Sequence, residues 1–168
     1  ADTTRFAEAG YFLAGGELDC VQCFVFLIKN GIKAAPVNAR IVGINLTDTW
    51  LDSVTENAFI ADTTGGDPAQ TSVSLIQITN SWFGPGYGTN VGSGLVLTGP
   101  NIGTGFVNNS IFYSYNNGTG VGVNLNTGAA LSMFFTNNQI GSSGNGFATG
   151  FAASNASTNW TLHGGQVA

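Results

Sequence analysis

Apolar residues recur at every second position in short stretches of this chain, and several stretches end in a similar five-residue word. The word reads Thr47-Asp48-Thr49-Trp50-Leu51, then Thr79-Asn80-Ser81-Trp82-Phe83, Val107-Asn108-Asn109-Ser110-Ile111 and Thr136-Asn137-Asn138-Gln139-Ile140. A worn copy, His163-Gly164-Gly165-Gln166-Val167, closes the chain. The offsets are 32, 28, 29 and 27 residues, a period typical of a solenoid. The polar centre and apolar end of each word predict a corner at which the chain turns and re-enters a core.

Aligning the words produces columns. Leu46, Ile78, Phe106, Phe135 and Leu162 form one; Ile44, Ile76, Thr104, Met133 and Trp160 form another, two residues earlier. Leu51, Phe83, Ile111, Ile140 and Val167 form a third. Spacing by two is the strand period, so each column is expected to be an inward stack with one residue per turn. Position 48 reads Asp48, Asn80, Asn108, Asn137, Gly164, which predicts a ladder of amides along the axis. Asn also tolerates the left-handed backbone of a tight corner.

A second strand is expected after each corner, at Phe59-Ile60, Gly94–Leu97, Gly122–Leu125 and Gly150–Ala153, with Cys23–Ile28 as its earliest member. Uneven loops rich in Gly, Pro and Asn separate the strands, and no helical period survives. The expected fold is all-β: a right-handed parallel β-helix with rungs of about 27–32 residues. Residues 20–168 form the solenoid. Residues 1–19 form a lead-in or partial first rung, with Ala9, Gly10, Tyr11 and Phe12 at its corner. Solenoids need capping at both ends, and Val167-Ala168 falls inside an expected inward strand. The chain therefore reads as a stretch of a longer β-helix.

The Asn-Asn corner, the Gly-flanked strands and the long uneven rungs resemble the pectate-lyase-type β-helix superfamily, and in style the bacteriophage tailspikes within it. That resemblance covers roughly residues 20 to 168. It implies a homotrimer in the virion, at the phage tail, that binds a bacterial surface polysaccharide and often cleaves it. Two alternatives stay open: a secreted, extracellular polysaccharide lyase or glycoside hydrolase, and a structural β-solenoid such as an adhesin stalk or an ice-binding protein. Thr47-Asp48-Thr49 and Thr79-Asn80-Ser81 hint at an ice-binding threonine array, which breaks on later rungs.

Composition narrows the partners. Charged residues are 8% of the chain, against about 25% in ordinary proteins. All nine acids and all four basic residues lie between Asp2 and Asp67, so residues 68–168 carry His163 as their one ionisable side chain of the Asp, Glu, Lys, Arg and His set. A neutral surface rich in Asn, Thr, Ser and Gly suits sugars or sister subunits. It lacks the basic footprint that nucleic acid requires. The apolar run Cys23–Ile28 is far shorter than the ~20 residues that span a membrane, so no membrane insertion is expected.

Trp50 and Trp82 share one column, each just before an inward residue, so alternation points both outward. Sugar CH faces stack on such rings, and tryptophan equally anchors subunit interfaces. The ridge is thus a carbohydrate platform, a packing surface under a loop, or a trimer contact; Tyr87, on the following loop, joins the carbohydrate-binding candidates. Glycoside hydrolysis needs two carboxylates within ~5–9.5 Å. Asp52 and Glu56 are the candidate pair, but four residues of extended strand separate them by about 13 Å. Asp48 falls in the ladder column and reads as structural. Cys20 and Cys23 form one CxxC without further ligands for zinc. They are expected as free thiols, consistent with assembly in a cytoplasm. No metal or cofactor is expected.

Overall fold

The computed structural model describes residues 7–88, 90–116, 118–127, 131–141, 146–153 and 158–167. Ala168 and parts of the loops after Tyr115 and Ile140 lie outside the described residues. The described residues form a parallel β-helix of six rungs with three strands each. In chain order the rungs are β1 (Ala9–Leu13), β2 (Gly16–Val21), β3 (Phe24–Phe26); β4 (Asn30–Ala34), β5 (Arg40–Thr47), β6 (Trp50–Asp52); and β7 (Asn57–Asp62), β8 (Ser72–Thr79), β9 (Trp82–Phe83). They continue as β10 (Ser93–Gly99), β11 (Ile102–Asn108), β12 (Ile111–Phe112); β13 (Val121–Thr127), β14 (Leu131–Thr136), β15 (Gln139–Ile140); and β16 (Thr149–Ala153), β17 (Thr158–His163), β18 (Gln166–Val167). Every third strand pairs in parallel, giving three six-stranded sheets. The stretch expected as a lead-in supplies the first rung from Ala9 onward.

The core is a set of stacked columns. Leu51, Phe83, Phe112 and Ile140 pair in register along the short sheet and are fully buried. Phe83 and Phe112 stack face to face at 4.6 Å. Ile32, Phe59, Leu95 and Val123 line a second sheet, and Leu46, Ile78, Val107 and Phe135 the third. Like residues one rung apart meet at the ~4.8 Å strand spacing, so apolar side chains of the inner rungs are covered above and below; Trp160 and Leu162 hold the same columns on the last described rung and are exposed.

At the fourth rung the register differs by one residue from the expected one. Asn108 pairs with Thr79 and Thr136, so the word there is Asn108-Asn109-Ser110-Ile111-Phe112. Val107, not Phe106, is inward; Phe106 is 37% exposed and stacks on Phe134 at 5.3 Å on the outer face. Ile111 likewise moves outward and Phe112 takes the core position. Gly105, not Thr104, occupies the column of Ile76 and Met133. A Cβ at Gly105 would strike the Met133 thioether. The flexible methionine fills the gap that glycine leaves, as its unbranched chain allows.

The corners also differ from the expected amide ladder. Gln22, Asp48, Asn80, Asn109 and Asn137 all adopt left-handed backbone, φ 49–55°. The buried ladder runs one position later. Thr49 N donates to Ser81 Oγ (3.2 Å), Ser81 N to Ser110 Oγ (3.1 Å) and Ser110 N to Asn138 Oδ1 (2.9 Å). Each hydroxyl or amide then donates to a carbonyl, Ser81 to Thr79 and Ser110 to Asn108, so the inner corner leaves no orphan donor there. Thr49 is buried while Thr47 is half-exposed. The two threonines therefore do not share an ice-facing surface.

Gln22 reveals a further copy of the word, Val21-Gln22-Cys23-Phe24-Val25, with Phe24 paired to Trp50 and Val25 to Leu51. Cys23–Ile28 is therefore not a member of the second strand: Phe24–Phe26 forms the corner strand β3, and Ala9–Phe12, expected at a corner, lies in strand β1. Cys23 holds the place that Thr49 and Ser81 hold below it. It is bonded to Cys20 in a disulfide, and no cysteine is free. The expectation of free thiols is corrected, because the tight left-handed corner brings residues three apart to a Cα separation of 5.7 Å, within disulfide reach.

Candidate functional site

The outward column of the short sheet reads Phe24, Trp50, Trp82, Ile111, Gln139. Parallel pairing in register leaves the first three rings nowhere to go but onto one another. Trp50 and Trp82 stack with centroids 5.8 Å apart and planes 26° apart, and Phe24 lies 5.6 Å from Trp50. Trp50 is 44% exposed. The outward assignment of both tryptophans holds.

The ridge turns where the column meets the next residue position. Phe26, Asp52, Gly84 and Tyr113 follow Val25, Leu51, Phe83 and Phe112 on successive rungs. Gly84 has no side chain, and a Cβ there would overlap Asp52 Oδ1 and the Tyr113 hydroxyl. Tyr113 uses that gap. Its hydroxyl passes over Gly84 and donates to Asp52 Oδ1, and its ring meets Trp82 edge-on at 5.0 Å. Tyr115 packs on Tyr113 at 5.0 Å and on Tyr87 at 5.6 Å, and donates to the same Asp52 oxygen at 2.8 Å. Ser53 N adds a third donor at 2.8 Å, while Ser53 Oγ donates to the Tyr115 oxygen at 3.1 Å.

Seven rings, Phe26, Phe24, Trp50, Trp82, Tyr113, Tyr115 and Tyr87, thus form one unbroken series of contacts across four rungs. The three carbohydrate-binding candidates Trp50, Trp82 and Tyr87 all belong to it. Tyr113, Tyr115 and Gly84 were not among the sequence candidates. The signal that finds them is a glycine standing in register between an acid and a tyrosine.

The two candidate acids are held separately. Asp52 is tied to the tyrosines. Glu56 is an ion-pair partner of Lys29 at 3.6 Å, and Lys29 and Lys33 both reach Glu8, at 3.4 and 2.7 Å. The Lys33 ammonium holds the Glu8 carboxyl below its ordinary range. Burial, and then the hydrogen bond to Asp52, push the Tyr113 phenol well above its ordinary range, with the Trp82 indole offsetting part of the shift. Tyr113 is therefore a protonated donor near neutral pH and a poor base. Among the described residues no three His, Cys, Asp or Glu side chains cluster to hold a metal ion, and no helix is long and apolar enough to cross a membrane.

A cavity of about 530 Å³ lies elsewhere, with Arg40, Pro68, Ala69, Thr71 and Ile102–Thr104 among the residues lining it. It contains none of the candidate residues. Comparison of the chain with protein families, with curated proteins and with solved structures finds no match.

Proposed function

We propose that this β-helix is a glycan-binding body that holds a bacterial surface polysaccharide along its aromatic ridge. The observation that carries the reading is the series of seven contacting rings, with Trp50 exposed on it and a hydrogen-bonded carboxylate at its bend. Flat, rigid rings offer large contact area at low entropy cost, and a rung-wise array repeats that contact at near-regular spacing. The resemblance of the rungs to phage tailspikes supports a receptor-binding role in a homotrimer. Residues 68–168, which carry no Asp, Glu, Lys or Arg, suit close approach of neighbouring copies in such a trimer.

Binding is favoured over cleavage. Asp52 and Glu56 have different partners, and Tyr113 does not supply a base. A second setting has its own support. The Cys20–Cys23 disulfide is at home in an oxidising compartment, which favours a secreted, extracellular protein over one that remains in the cytoplasm.

The test is a glycan array of bacterial surface polysaccharides, probed with the wild type and with Trp50→Ala. Selective binding that is lost in the variant supports the reading. Absence of any glycan binding by a protein whose light-scattering mass and melting are intact refutes it.

A further inference from the structure

Resting on the reading of the ridge as a glycan platform, we infer that its preferred ligand is a glycan carrying protonated amino groups, an amino-sugar polymer with free amines. Asp52 takes all three of its protein donors on one oxygen: Tyr113 and Tyr115 hydroxyls and Ser53 N converge on Oδ1. No described residue donates to Oδ2. A carboxylate whose Oδ1 is held by three donors, with no described donor on Oδ2, has an acceptor left for a charged donor.

Trp50 and Trp82 turn their faces to each other one rung apart, and Tyr113 abuts Trp82 edge-on, so a sugar on the ridge meets ring edges and the charge at Asp52 sets the preference. An uncharged acetamido sugar can donate to Oδ2, but gains nothing from that charge.

The remaining charges exclude the opposite class. The chain carries a net charge of −5. Lys29 and Lys33 are held by Glu8 and Glu56, and Arg40 lines the cavity beside β8 and β11. A uronic-acid chain laid on the ridge would meet Asp52 with no described cation there to offset the repulsion.

The experiment uses three oligosaccharides of matched length: a β-linked glucosamine oligomer, its fully N-acetylated counterpart and a galacturonate oligomer. Each is titrated into the intact protein by calorimetry at about pH 5.5, where the glucosamine amines are protonated and ordinary carboxylates are still ionised. The expected order is glucosamine at least about tenfold tighter than the acetylated oligomer, with galacturonate weakest; the glucosamine preference should shrink as salt is raised. Asp52→Asn should abolish the preference, and Trp50→Ala should weaken both the amine and the acetylated oligomers. Equal or tighter binding of the acetylated or acidic oligomer, or a preference that survives high salt, overturns the amine assignment while leaving the ridge as the glycan site. Binding that is unchanged in Trp50→Ala overturns the ridge reading itself, and no binding of any oligomer overturns the amine assignment.

Discussion

The Tyr113 hydroxyl donates to Asp52 Oδ1 from two rungs away, across the bare backbone of Gly84. One missing side chain thus joins two rungs that are not neighbours and bends the aromatic ridge toward Tyr115 and Tyr87. The site is as much a product of that glycine as of the rings.

Gly84→Ala should therefore damage the site more than its size suggests. The added methyl overlaps the two atoms that form the hydrogen bond, and such overpacking typically costs about 1–3 kcal/mol. Chemical denaturation should show a loss of that order, with near-ultraviolet circular dichroism changing as Tyr113 is displaced from Trp82. A silent substitution would mean that Tyr113 does not occupy the gap.

Tyr113 also sets an alkaline limit. Its folded pKa is raised above the ordinary phenol value of 10.0, so the unfolded state loses this proton first. The contribution is full below the unfolded value and is lost as pH rises beyond it. Stability should fall as pH passes about 10, and Tyr113→Phe should flatten that part of the curve. Urea midpoints measured on both proteins across this range provide the check.

The register makes a paired forecast. Phe135 is fully buried between rungs, and Phe135→Ala should cost on the order of 3–5 kcal/mol. Phe106, a large apolar residue of a neighbouring rung, lies on the outer face against Phe134. Phe106→Ala should cost about 1 kcal/mol, the scale of one exposed aromatic pair. Equal losses in the two variants would restore the alternative alignment, in which Phe106 points inward.

The disulfide closes a short loop, so chain entropy assigns it a modest share of about 2 kcal/mol. Thiol labelling of the unfolded, unreduced protein should find no reactive cysteine of the two present. Reduction should lower the melting temperature without unfolding the lower rungs, since Cys20 and Cys23 brace the first corner only.

Much of this architecture is legible in the chain. The strand period, the corner word and the outward tryptophans all follow from alternation, and the inward columns are right on rungs whose word begins with threonine. The slip at Asn108-Asn109 has a physical cause. Two adjacent asparagines fit the left-handed corner equally well, and the bulk of Phe106 favours placing it in the core. The opposite solution works because Gly105 and Met133 fill that layer together. The first corner is hidden because Gln22 and Cys23 stand where the next three rungs carry Asp or Asn and a hydroxyl. Asp52, Trp50, Trp82 and Tyr87 are visible as single residues. Their union through Gly84, Tyr113 and Tyr115 is not, because it depends on the register of three rungs at once.

The most direct test of the central claim is a tryptophan-fluorescence titration of the wild type and Trp50→Ala with a glycan that the array selects. The ridge account predicts saturable change in the wild type and at least about tenfold weaker binding in the variant, about 1.4 kcal/mol, at an unchanged melting temperature. Equal affinity in the two proteins would contradict it and move the binding surface away from the ridge.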